Sequence, residues 1–245
     1  MKNLWKKFDE ITGECYIGMI QEKKDTGIWD KGFATLMEII QSGREKDPDY
    51  AKELFLLDEE TDYQYDIQGW IEDYMDELDI NGRHQDLRTV CKKLMDTFCW
   101  EEDSPSELRF RIVCSFLDQG MEADAIRYAK DWEKEEPDNP LVEAALIYAQ
   151  IAADELEEAE ERAQRLLNEE SVCEDKNVPL FNAAVKLYEA MGNQEAARKL
   201  NKKIDQYDEQ FKKYFDLDDD LAFGDDFDDD WDEDDEEGVE FIYKR

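Results

Sequence analysis

Apolar side chains recur along this chain at steps of three and four residues, the spacing that gathers them on one face of an α-helix. Leu4, Trp5, Phe8, Ile11, Cys15 and Met19 form one stripe across residues 2–24, and Trp29, Phe33, Leu36, Met37 and Ile40 form a second that ends near Gly43. The turn signal Asp25-Thr26-Gly27 between them predicts a helical hairpin. Asp47 followed by Pro48 has the form of a cap and a first-turn proline, predicting a short helix as far as Leu57, with the acidic run 58–66 as a loop. From Ile67 the stripes resume. Trp70, Ile71, Tyr74, Met75 and Leu78 mark one helix, Asn81-Gly82 its turn, and Leu87, Val90, Cys91 and Leu94 the helix that returns.

Beyond this point the pattern has a period. Gly120, Ala125, Ala129, Trp132 and Pro137 each stand thirty-four residues before Asp154, Ala159, Ala163, Leu166 and Ser171. Gly82 precedes Gly120 by thirty-eight residues and Ala159 precedes Ala197 by the same distance, which places the extra residues in connections near 101–103 and 169–177. Helix starts punctuate the same frame. Ser104-Pro105-Ser106-Glu107 has the form of a capping box, Asn139-Pro140 repeats its opening, and Asp154-Glu155-Leu156-Glu157 is read as a third start. A last unit runs from Pro179 through Ala183, Ala184, Leu187 and Tyr188 to Gly192-Asn193. The helix after it is longer: Ala197, Leu200, Ile204, Tyr207, Phe211 and Tyr214 predict about twenty residues that cover the end of the array. Residues 1–60 are read as an N-terminal helical hairpin or cap, 61–215 as repeats with a C-terminal capping helix, and 216–245 as an acidic tail.

In its turn glycine, packing alanines and closing proline, the block Phe110 to Gly120 with Ala125, Ala129 and Pro137 resembles a tetratricopeptide repeat, a helix-turn-helix unit of that period. The resemblance implies an all-α, TPR-like α-solenoid of antiparallel helix pairs that acts as a protein-protein interaction adaptor. It also implies that the first helix of each unit lines a concave groove. With units starting at Gln68, Ser106, Pro140 and Val178, the groove positions fall on Glu72, Asp76, Phe110, Cys114, Leu117, Ala144, Tyr148, Ile151, Asn182, Lys186 and Glu189. They grade from acidic through apolar to mixed. Most other aromatics, including Trp70, Tyr74, Phe98, Phe116 and Trp132, lie at helical spacing and are read as packing.

Charge then narrows the partners. The 245 residues carry a formal net charge of −37, which repels phosphate backbones at long range and favours a cationic or amphipathic protein segment over nucleic acid. Residues 216–245 hold sixteen acids against two bases, too little apolar surface to offset the entropy of ordering, and are expected to be disordered. Phe223, Phe227, Trp231, Phe241 and Tyr243 punctuate that tail as candidate contacts. The basic face Arg198, Lys199, Lys202, Lys203, Lys212 and Lys213 is where the tail is expected to dock on its own chain. A second reading makes the tail the working part, an acidic mimic of nucleic acid that inhibits a basic DNA- or RNA-binding protein.

Chemical constellations are sparse. The phosphate-loop, serine-elbow and HExxH patterns do not occur, so the chain is expected not to be an enzyme and to need no cofactor. Asp216-x-Asp218-x-Asp220 begins like a calcium loop, but Leu221 and Phe227 stand where it needs glycine and glutamate, and no metal ligand is assigned. The one histidine, His84, follows a turn and is read as solvent-exposed. Five widely spaced cysteines read as small buried residues of a reducing compartment. With no apolar run long enough for a leader or a membrane span, a cytoplasmic location is expected.

Overall fold

The two N-terminal stripes fold as α1 (Lys2–Ile20) and α2 (Gly27–Arg44), which pack against each other and bury Phe8, Cys15, Trp29, Leu36, Ile39 and Ile40. The computed structural model describes residues 1–21 and 26–219, the last six without their side chains. Residues 1–205 form one compact unit, and residues 206–245 a second. Among the described residues every regular element is helical: α3 (Leu56–Glu59), α4 (Ile67–Ile80), α5 (His84–Thr97), α6 (Ser106–Leu117), α7 (Glu122–Glu135), α8 (Pro140–Ala152), α9 (Leu156–Leu166), a 3-10 turn at Asp175–Asn177, α10 (Val178–Ala190) and α11 (Gln194–Asp219).

The four turns picked out by the period share one geometry. Gly82, Gly120, Asp154 and Gly192 all have positive φ, at +67°, +65°, +60° and +73°. In each, the next residue donates its N–H to the carbonyl five residues back: Arg83 to Leu78, Met121 to Phe116, Glu155 to Gln150 and Asn193 to Tyr188, at 2.8–2.9 Å. These are Schellman ends, in which a left-handed residue lets the chain satisfy the last carbonyls of one helix while reversing into the next. Asp154 holds that conformation despite a Cβ, so it is the turn residue and not the cap expected of it. Replacing Asp154 with glycine is expected to stabilise the chain by about 0.5–1 kcal/mol, read as a higher urea midpoint at unchanged slope.

The small residues after these turns do what the period requires. Ala125, Ala129, Ala159, Ala163 and Ala197 are buried, where short side chains let neighbouring helices approach. First helices also pack on one another, α6 against α8 and α8 against α10. At the other helix starts, the Asn139 side chain accepts from Leu141 N at 2.9 Å with Pro140 at the first position, as expected. The Ser104 hydroxyl accepts from Ser106 N at 3.2 Å, but the reciprocal bond from Glu107 is not formed among the described residues. Ser106 turns instead to Glu136 Oε2 (2.9 Å) and Asn139 Nδ2 (2.7 Å), tying two units together.

Residues 47–57 depart from the expectation of a helix. Residues 48–51 form turns, Ala51 has φ +44°, and helix appears only at α3, which takes the last two residues of the expected helix and the first two of the run expected to be loop. The cause is tertiary. The Tyr50 ring lies flat on the backbone of Gly43, where an added Cβ would sit 2.1 Å from Cδ1, and Arg44 donates to the carbonyls of Tyr50 (3.2 Å), Ala51 (2.8 Å) and, across fifty-three residues, Thr97 (2.8 Å). Two carbonyls that would have bonded within the expected helix, those of Tyr50 and Ala51, are taken by the guanidinium, which also holds the free carbonyl at the end of α5. The acidic loop that follows is structured by a buried acid: Asp58, 5% exposed, accepts from Ile67 N at 2.6 Å and shares with Asp66 the start of α4.

Candidate functional site

The positions nominated along the first helices fall into three groups. On α4, Glu72 is exposed and Asp76 half-buried, and Asp76 accepts from Arg111 Nη1 on α6. Loss of hydration and the facing Glu107 carboxylate, with Asp76 behind it, push the Glu72 carboxyl above the usual carboxylate range, while Arg111 opposes the shift. Acidic character at this end is therefore carried by Glu72 with Glu107, because Asp76 is already paired.

The middle group is aromatic and aliphatic. Phe110 of α6 meets Tyr148 of α8 edge to face, with centroids 6.2 Å apart and planes at 70°. Phe110 packs on two core clusters, one holding Val113, Trp132 and Leu146 and the other Ile147, Ala159 and Leu187; Leu117 joins the first, Tyr148 and Ile151 the second. All four are half-buried, so each has an anchored base and an open edge. Cys114 is likewise half-buried, while Ala144 is fully buried and offers a partner nothing, a correction to its nomination. On α10, Asn182 and Lys186 are one turn apart and half-buried, and Lys186 Nζ reaches Glu189 Oε2 at 3.5 Å. The chain thus brings Phe110, Tyr148 and Ile151 onto one cluster and links Asp76 to the α6 neighbour of Phe110.

The five nominated tail residues, Phe223, Phe227, Trp231, Phe241 and Tyr243, lie outside the described residues. Their expected landing place changes in one respect. Lys203 is not a free cation, because its Nζ donates to the carbonyls of Asn168 (3.2 Å), Glu169 (2.8 Å) and Ser171 (2.6 Å) and so fastens α11 to the connection after α9. Lys199 pairs with Glu195 at 2.8 Å. Arg198 and Lys202 remain exposed in the first unit, and Lys212 and Lys213 are exposed in the second.

Sequence reasoning missed several polar groups that span helices. Arg88 is 4% exposed, donates to the Ser115 carbonyl (3.1 Å), the Ser115 hydroxyl (3.2 Å) and Gln85 (3.0 Å), and lies over the Phe116 ring at 4.4 Å. Arg162 of α9 joins Glu133 of α7 and the buried Glu143 of α8. Neither has a local signature, since apart from Gln85 the partners come from other helices. His84 corrects its reading in the same way. It begins α5, but its side chain is only 17% exposed, with Nδ1 lying 3.2 Å from Asp79 Oδ1.

Three of the five thiols are buried, as expected, while Cys114 is half-buried and one is open to solvent. Cys15, Cys91 and Cys173 are buried, and Cys99 is exposed. Burial pushes the Cys15, Cys91 and Cys114 thiols up to about 12, and does the same to the Tyr50 and Tyr128 phenols. These groups keep their protons in the folded chain while the unfolded chain loses them above about pH 8.5 for thiols and about 10 for phenols. Stability is therefore complete below that range and falls as pH rises from about 8.5 toward 12. Urea midpoints should decline over this window, and Cys91→Ala should flatten the decline. Ellman's reagent at pH 8 should titrate Cys99 rapidly and the three buried thiols only after denaturation.

No family model, curated protein sequence or solved structure matches this chain. Among the described residues no helix is long and apolar enough to cross a membrane.

Proposed function

We propose that residues 67–205 build a TPR-like solenoid and that the chain is a non-enzymatic adaptor. Its first-helix face holds a cationic or amphipathic segment of another protein. The observation that carries this reading is the half-buried pair of Phe110 and Tyr148 on successive first helices, flanked on the same cluster by Ile151. Rigid aromatics with an open edge present apolar area at low entropic cost, as anchor sites require. Loss of hydration and the Glu107 carboxylate hold the Glu72 carboxyl above its usual range, and a lysine or arginine of the partner would favour its charged form. Asn182 and Lys186 supply hydrogen-bonding groups at the other end.

The recurrence of one turn at Gly82, Gly120, Asp154 and Gly192 supports the repeat reading, since stacked identical hairpins generate a continuous face. The test is a pull-down with the full chain against its Phe110→Ala/Leu117→Ala/Tyr148→Ala variant, whose fold is checked by circular dichroism. Partners should be lost from the folded triple variant, be retained after removal of 216–245, and tolerate moderate salt. Retention by the triple variant would show that this face is not the site. Loss only on tail removal, with steep salt dependence, would favour an acidic mimic of nucleic acid.

A further inference from the structure

Asp79, His84 and Asp118 come from three helix ends and two different hairpins, yet their donor atoms all lie within 4.8 Å of one another. Asp79 is in the last turn of α4, His84 opens α5 across the Gly82 turn, and Asp118 caps the C-terminal end of α6. The left-handed Gly82 is what folds His84 back toward Asp79, leaving 3.2 Å between Nδ1 and Oδ1. That nitrogen is sealed from solvent and makes no hydrogen bond of good geometry among the described residues. A buried imidazole nitrogen without such a bond carries a cost that a coordinate bond would remove. The surroundings favour a cation as well. The site lies at the carbonyl ends of both α4 and α6, neither with a basic residue in its last turn, against the one amide end of α5, whose first turn carries Asp86.

We propose that Asp79, His84 and Asp118 bind one divalent transition-metal ion of the zinc type. The donor set is one imidazole nitrogen and two carboxylate oxygens, which suits zinc, cobalt or nickel better than the all-oxygen preference of calcium and magnesium. Ligand atoms up to 4.8 Å apart need only side-chain rotation to reach the roughly 2.0–2.2 Å bonds of such an ion. Asp118 is exposed and Asp79 half-buried, so an ion can enter from solvent and keep water in its remaining position. The bound ion would join the α4–α5 hairpin to α6. None of its three ligands is among the residues nominated for the binding face.

His84 is the only histidine in the chain, so its imidazole gives a single, self-assigned nitrogen NMR signature. The experiment adds zinc chloride to the metal-free full chain in millimolar magnesium, which occupies loose carboxylate sites. The bound fraction is followed by the His84 nitrogen resonances and by calorimetry. One equivalent should perturb Nδ1 selectively, and His84→Gln and Asp118→Asn should each weaken the tightest site by at least about tenfold. An imidazole signature unchanged at one equivalent would overturn the proposal and leave Asp79 and His84 as a close contact only. Equal zinc affinity in a folded His84→Gln chain would assign the ion to other carboxylates. Should a variant fail to fold, the Nδ1 response of the parent chain decides alone.

Discussion

Trp70→Ala is expected to lower stability by about 3–5 kcal/mol, near the upper range for a single core truncation. The indole is 1% exposed and stands where three helices meet. Phe8 of α1 approaches it edge-on at 5.0 Å, Trp29 of α2 stacks on it at 5.5 Å, and Tyr74 lies along it at 5.8 Å within α4. Gly32 of α2 leaves the space it fills, since a Cβ there would fall 2.4 Å from Cζ2. The companion Gly32→Ala must displace the same ring and is expected to cost about 1–3 kcal/mol. Urea unfolding followed by far-UV circular dichroism gives the magnitude, and hydrogen exchange its location. Amides of α1, α2 and α4 should lose protection, while those of α8 and α10, which belong to a separate core cluster, should keep theirs. Uniform loss across all helices would show that the N-terminal hairpin and the later units unfold as one body.

The second large effect is electrostatic. Glu143 is only 6% exposed, takes Arg162 on one oxygen and Arg165 on the other (3.1 Å), and Arg162 also reaches Glu133 at 2.6 Å. Burial alone would lower the Arg162 guanidinium pKa, but Glu133 and Glu143 outweigh it and hold the group more firmly charged than usual. Glu143→Ala removes the buried half of this arrangement and is expected to cost about 3 kcal/mol, chiefly by leaving a desolvated cation with only one partner. Replacing both ends, as in Glu143→Leu with Arg162→Met, should recover most of that loss, because no charge is then left buried. Thermal melts of the parent, the single variants and the double variant test this directly. If the double variant is as unstable as Glu143→Ala, packing and not charge governs the site.

How much of this could be read from the chain depends on where each residue finds its partner. The turn positions were legible because a left-handed residue, a following helix start and, after Gly120 and Asp154, two buried alanines are local requirements that recur with the period. Asn139 with Pro140 was legible for the same reason. The helix expected from Asp47 to Leu57 fails because local capping signals lose to carbonyl bonds from Arg44 and to the Tyr50 ring on Gly43. Asp58 looked like one acid in an acidic run, and only its position beneath Ile67 N makes it a cap. The nominated binding face was half legible. The first-helix register nominated Phe110 and Tyr148, whose rings meet in the structure, but it also nominated Ala144, which is sealed, because register specifies direction and not the depth at which neighbours close. His84 was misplaced because its neighbours include Asp79 across the Gly82 turn and Asp118 at the end of α6, in the following hairpin.

The Arg44 guanidinium has a bearing on how the chain acquires its shape during synthesis. Two of its three acceptors, Tyr50 and Ala51, lie within seven residues, but the third is Thr97, at the far end of α5. The irregular stretch after α2 has few internal bonds of the helical kind, so its order depends on a contact that closes a loop of about fifty residues. While the chain emerges from the ribosome, α1 and α2 can pair as soon as both are exposed. The stretch behind them stays unfinished until the second helix of the following hairpin has been made. That delay sets the N-terminal third apart from the later hairpins, whose turns close within a few residues and can form one after another.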